Sequence, residues 1–244
     1  MALTADETKA GGSKIRRVLN DWKFRHLASL AFAAALVWLF GALRPEWSPM
    51  HRWNRAFGDA SLILVALVMC LGPLSRLWRG GTAFLPWRRE LGIWAFVAGL
   101  IHGGFILFGW VRLEWQRLFG FEFHPQFQEY VMFDKGFGFA NVIGILALIY
   151  GLILALTSND LSQRWLGMSV WKFLQQGAYI LWALVLYHTA YFLFMHFLDF
   201  HRNTPEPNMM QWPFVWLVLL VFTLQTVATW RTWRQGSRRR TVGG

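Results

Sequence analysis

Two histidines, His102 and His188, sit inside long apolar runs of the chain. His102 is central to a run of about Leu91 to Val111. His188 lies in the run Trp171 to Phe197, which holds no acid or base between Lys172 and His188. An imidazole in hydrocarbon without a partner costs several kcal/mol, so ionisable residues inside such runs point to function. A neutral imidazole binds metal through one ring nitrogen and asks a backbone or side-chain acceptor to take the other. Two of them facing each other across a helix-bundle core are the usual axial pair of a low-spin b-type heme. They are also compatible with two satisfied core histidines on helices that merely pack together. Spacing alone leaves both readings open.

The elements around them set depth. His102 lies 13 residues beyond Arg89 and His188 lies 16 beyond Lys172, or about 20 and 24 Å of helix. Both therefore reach the outer half of a hydrocarbon core about 30 Å thick. The lone Cys70 excludes a disulfide, a Cys-rich metal site and a CxxCH motif, so any heme is held by ligation and packing alone. The other histidines are weaker candidates. His196, eight residues past His188, is turned roughly 80° away on an ideal helix and belongs near the outer surface. His201 with Asp199 suits a surface metal or a partner, while His26, His51 and His124 fall at span ends or in loops.

A chain of 244 residues that is 55% hydrophobic, with 16 Trp, 22 Phe and only 15% charged residues, is too apolar for a soluble domain. Six spans are predicted, near residues 27–43, 57–77, 91–111, 137–156, 171–197 and 212–228, giving an all-α six-helix membrane bundle over 27–230. Basic tails occupy 1–26 and 231–244. The net charge of +11 sits in short segments between apolar runs rather than on one folded face, which excludes nucleic acid binding. Of the 24 Lys and Arg, 17 fall on the side of the two termini, placing both tails in the cytoplasm by the positive-inside rule. No cleaved leader and no internal repeat is expected. Pro73 marks a kink near the end of the second span. The aromatic connection 112–136 is expected to lie in the membrane interface as a partly helical segment. Thr157 to Asp160 reads as a polar turn with helix-capping residues.

Several stretches then carry a resemblance. The run Arg88-Arg89-Glu90-Leu91-Gly92-Ile93-Trp94-Ala95-Phe96 ending in Leu100-Ile101-His102 is one. Leu156-Thr157-Ser158-Asn159-Asp160, Arg164-Trp165-Leu166-Gly167, Trp171-Lys172, Tyr179 and His188 form another, and Gly58 with Gly72-Pro73-Leu74 a third. Over about residues 55–197 they resemble the ferric reductase-like transmembrane family, and within it the heme-binding membrane subunit of the bacterial periplasmic protein-methionine-sulfoxide reductase. The resemblance implies six helices, b-type heme ligated by His102 and His188, and membrane electron transfer in a bacterial inner membrane. Two-heme relatives carry further histidines 13 residues before His188 and 14 before His102. Here those positions are Gln175 and Arg88, so one heme is expected and the inner site is dismantled.

A lone outer heme leaves a long gap to a cytosolic flavin, so the donor is expected to be a quinol, or an inner quinone or flavin cofactor bridges the gap. The acceptor is a periplasmic redox protein or a larger membrane complex, docked near Arg112, Arg117 or Arg202, which are also candidate contacts for the heme propionates. The chain is then an electron-transfer component with no catalytic residue beyond its heme ligands. The alternative is a structural or assembly subunit that keeps the scaffold with little redox role. A histidine-relay transporter is disfavoured by the expectation that no span buries an Asp or Glu.

Overall fold

The computed structural model describes residues 21–132, 135–196 and 208–242. The tail calls for 1–20, and those on Asp199, His201 and Arg202, lie outside the described residues. Six helical stretches are long and apolar enough to cross a membrane: Trp22–Ala42, Pro49–Leu77, Trp87–Trp110, Lys135–Thr157, Asp160–Met195 and Gln211–Gly236. Each coincides with an expected span.

In chain order, α1 is Trp22–Ala42, capped by the Asp21 side chain, and α2 is Pro49–Leu77, opened by proline at its first turn and holding Pro73 near its end. A 3-10 turn, Arg79–Phe84, leads to α3, Trp87–Gly104, which runs on as a π-helical turn, Phe105–Trp110. The next long helix is α5, Lys135–Thr157, reached through the short α4, Trp115–Leu118. Then come α6, Asp160–Gln175, and α7, Ala178–Ala190, continued by a second π turn, Tyr191–Met195. The last helix, α8, is Gln211–Val242.

Helix α2 is the centre of the bundle. Its small residues Ala56 and Ala60 are fully buried, so neighbouring backbones approach closely. Two apolar clusters flank it, one around Leu64, Met69, Leu91 and Val221, the other around Ala56, Ala60, Leu193 and Phe214. The outward faces carry large apolar side chains such as Phe108, Trp212, Trp216 and Phe222, which suits lipid as the surrounding solvent. Polar ties mark the two ends. Arg25 pairs with Glu90 and Arg89 with Asp160, both at 2.9 Å, at the end where α2 finishes and α3 begins. At the opposite end the buried Asn141 donates to the Leu118 carbonyl and Gln211 to that of Leu193.

Four expectations need correcting or completing. The connection after α3 is partly helical, as expected, in the single turn α4, but beyond it the chain forms a hairpin, β1 Phe121–His124 against β2 Glu129–Met132, antiparallel with Phe123 opposite Tyr130. The alternation Phe-Glu-Phe-His is the period-two signal that an aromatic count obscures. The fifth span is not one helix. It is helical from Asp160, as the Asn159 cap on the Ser162 amide dictates, breaks at Gly167 with φ 74°, and turns again at Gln176-Gly177 before α7. His196 does not turn away from His188. The π turn takes up one extra residue, cancelling about 100° of helical rotation, and Phe192 bridges the two rings at 4.9 and 5.4 Å.

The fourth correction concerns buried acids. Asp59 lies inside the second span, 7% exposed, with Arg44 at 2.6 Å. Glu90 is buried at the start of α3. Arg55, four residues before Asp59, shares its helix face and its field, so two guanidiniums surround one carboxylate. Replacing the carboxylate leaves both cations uncompensated. Asp59→Leu is expected to cost about 3–5 kcal/mol, read as a lowered denaturation midpoint of the detergent-solubilised protein; a loss too small to measure would show that this pair does not hold the outer ends of α1 and α2 together.

Candidate functional site

His102 on α3 and His188 on α7 face each other with ring centres 6.2 Å apart and ring planes at 84°. Each is fixed from behind. The Nδ1–H of His102 donates to the Asn54 carbonyl on α2 at 2.9 Å, and that of His188 donates to the Ala140 carbonyl on α5 at 2.8 Å. Those carbonyls belong to helical backbone, so the rings can reach them only where the helix surface is bare. Glycine supplies the bare surface: a Cβ at Gly58 would stand 3.1 Å from His102 Nδ1, and one at Gly144 only 2.8 Å from the His188 ring. With Nδ1 donating, Nε2 keeps its lone pair on each ring, which is the ligating tautomer.

This pair fits an iron porphyrin. Metal–imidazole bonds are about 2 Å, and a ring centre lies roughly 1 Å behind its nitrogen, so two imidazoles trans on one ion hold their centres about 6 Å apart. Among the described residues no group of three or more His, Cys, Asp or Glu gathers to hold a metal ion. The two histidines therefore stand as a pair, without a third such side chain grouped with them among the described residues.

The rings look into a cavity of about 1340 Å³ running between α2, α3, α5 and α7. Gly58, Gly99, Gly103, Gly104 and Gly144 line it around the histidines, as expected for a flat bulky group lying against backbone. Trp115 and Leu118 reach its end beside the hairpin. Arg88 and Gln175 both line the opposite end, the inner one if both tails are cytoplasmic, so the two positions read as lost ligands do share one space. The candidate propionate contacts Arg112 and Arg117 do not line the cavity. Arg112 is exposed, with φ 51°, and Arg117 leans toward Glu114 at 3.8 Å.

At the level of the histidines the cation that lines the cavity is Arg55, beside Asp59 and one residue after the carbonyl that holds His102; it donates to the Phe192 carbonyl at 3.3 Å. Sequence reasoning passed over it because Arg55 falls just before the apolar run and reads as a loop base. The signal available was the i, i+4 pair Arg55/Asp59 followed directly by apolar residues.

Similarity to known proteins agrees with this architecture. The chain is 25% identical over 177 residues to the magnetosome protein MamZ of Magnetospirillum gryphiswaldense, an alignment covering 69% of this chain and 25% of that protein. The chain thus spans about a quarter of that relative's length. Residues 57–186, more than half of the chain, match the family described as the ferric reductase like transmembrane component. That segment contains Gly58, His102 and Gly144 and stops two residues short of His188, and the chain belongs to this family.

Proposed function

We propose that the chain is a one-heme electron-transfer subunit of a membrane oxidoreductase, with His102 and His188 as axial ligands of a b-type heme. The observation that carries this reading is the matched pair of histidines, each bound through Nδ1 to a backbone carbonyl, with ring centres 6.2 Å apart in the lining of one cavity. The heme, when bound, supplies a one-electron couple within the hydrocarbon layer. The chain's own residues orient the two imidazoles, keep water out with apolar walls, and present one guanidinium, Arg55, to the propionates. Membership of the ferric reductase-like family supports membrane electron transfer.

The donor in this reading is a quinol or a flavin on the inner side, and the acceptor a redox protein outside the membrane. The resemblance to the membrane subunit of the protein-methionine-sulfoxide reductase supports a soluble periplasmic acceptor. The excess of bases on the side of both termini supports cytoplasmic tails at 1–26 and 231–244 and a bacterial inner-membrane location. Reporter fusions after Gly244 and within the hairpin test this orientation: the first is expected to be active only in the cytoplasm and the second only outside it.

A second reading, a scaffold subunit of a larger complex, is favoured by the absence of histidine at Arg88 and Gln175. Optical spectroscopy separates the two. The purified protein is expected to show a reducible low-spin b-type spectrum at one heme per chain, lost in both His102→Ala and His188→Ala; a stably folded chain that never shows this spectrum belongs to the scaffold reading. Two hemes per chain would instead overturn the assignment of Arg88 and Gln175.

Arg55 gives an independent check. Removing a positive charge beside the iron favours the ferric state, so Arg55→Leu is expected to lower the midpoint potential by an amount on the order of tens of millivolts and to loosen heme retention, while the low-spin spectrum stays. An unchanged potential would show that Arg55 does not face the cofactor.

A further inference from the structure

The space between the histidines does not end at their rings. The same cavity continues inward to Arg88, Gln175 and Tyr179, and its full volume of about 1340 Å³ exceeds the roughly 300–1,000 Å³ of an ordinary single-ligand pocket. Arg88 lies 14 residues of α3 from His102, about 21 Å of helix, so a porphyrin held at His102 and His188 would not fill this inner part. Neither a guanidinium nor a carboxamide replaces an axial imidazole, so Arg88 and Gln175 do not hold a second iron as a pair of histidines would.

Its lining states what it would accept. The walls are apolar, from Val65, Phe96, Leu148 and Leu181, and Gly92 stands among them with nothing within 4 Å of the place a Cβ would occupy. Polar groups gather only at the inner end. Gln175 Nε2 donates to the Thr157 hydroxyl at 3.0 Å, which fixes the carboxamide while its oxygen and second N–H take no side-chain partner among the described residues. Arg25 and Arg89 are balanced there by Glu90 and Asp160, whereas Arg88 is in no ion pair among the described residues. An apolar body with one end able both to donate and to accept hydrogen bonds matches a flat ring bearing neutral oxygens on a hydrocarbon tail.

Depth gives the chamber a use. Arg88 is 14 residues before His102 on α3, about 21 Å of helix, and Gly92 is 10 before it, about 15 Å. A ring at the level of Gly92 closes much of the gap that a donor docked beyond Arg88 would face. We propose that this inner chamber binds the head of a membrane quinol, with Gln175 and Arg88 hydrogen-bonding its oxygens. The inference rests on the heme reading and adds to it the place of the donor. One quinol would become a quinone by losing two electrons and two protons; the electrons would leave one at a time through a heme held by His102 and His188, which the one-electron acceptor of the proposed function must reoxidise after each transfer, and the protons would leave to water at the mouth of the chamber beside Lys172.

The test uses the heme-loaded full chain in quinone-free nanodiscs, with decylubiquinol as reductant and calorimetric titration of decylubiquinone as a readout that needs no turnover. The wild type is expected to bind the quinone and to have its heme reduced by the quinol. Gly92→Phe, which fills the chamber, and Gln175→Leu, which removes the head contacts, are expected each to weaken binding and slow quinol reduction at least tenfold, with the dithionite-reduced spectrum unchanged. Heme that dithionite reduces but the quinol does not, or variants that bind and react as the wild type does, would overturn the inference and leave the heme reading standing. Quinone binding that is lost in both variants of a chain without any heme spectrum would uphold the chamber and overturn the heme reading instead.

Discussion

An imidazole placed in hydrocarbon must satisfy two nitrogens, and the rest of this bundle is arranged around that requirement twice over. A carbonyl on a neighbouring helix takes one nitrogen of each ring, and only a glycine one turn further along lets the ring come near enough. The carbonyl of residue i in a helix already accepts from the amide of residue i+4. Asn54 and Gly58, and likewise Ala140 and Gly144, are such pairs. Each histidine therefore adds a second hydrogen bond to a carbonyl whose second lone pair is otherwise idle. The bond fixes the tautomer and leaves Nε2 of each ring with its lone pair.

The same arrangement recurs at a fixed spacing. Asn54, Gly58 and His102 precede Ala140, Gly144 and His188 by 86 residues each, and the helices that carry them, α2 and α5, begin at Pro49 and Lys135, again 86 apart. The π turns after the histidines keep the offset, beginning at Phe105 and Tyr191. Two helix pairs of like direction thus enclose the cavity, which is a repeat about an axis along the membrane normal. It places the two histidines at equivalent positions of the two halves. The sequence reading put them at similar depth by counting residues from the flanking bases, and saw no repeat.

What could be read from residue types differs from what could not in a physical way. The spans were legible because twenty apolar residues in a row have few other uses, and the two histidines because they interrupt such runs. Gly58 was noticed only through resemblance, and Gly144 not at all, because a glycine's role depends on what faces it from another helix. The hairpin after α4 was hidden by its aromatic content, although its alternation was present. The breaks at Gly167 and Gly177 were hidden by treating a polar turn and an apolar run as separate elements, when the chain folds back through both. The position of His196 was misread for a different reason: ideal helical rotation was extended across a π turn that sequence does not announce.

The Arg44–Asp59–Arg55 group shows how charge can report on a missing partner. Isolated ions are too costly to leave inside a membrane, and a pair survives there only with close geometry. Arg44 and Asp59 meet that condition at 2.6 Å. Arg55 is then the surplus cation, and its guanidinium borders the cavity rather than lipid. A cavity holding a neutral ligand would leave that charge without an ion to answer it, whereas one holding two carboxylates within reach would balance it. At the opposite end of the cavity Arg25 and Arg89 have their carboxylates, whereas Arg88, like Arg55, is in no ion pair among the described residues. The cavity therefore carries a guanidinium without a salt-bridge partner at each of its two levels.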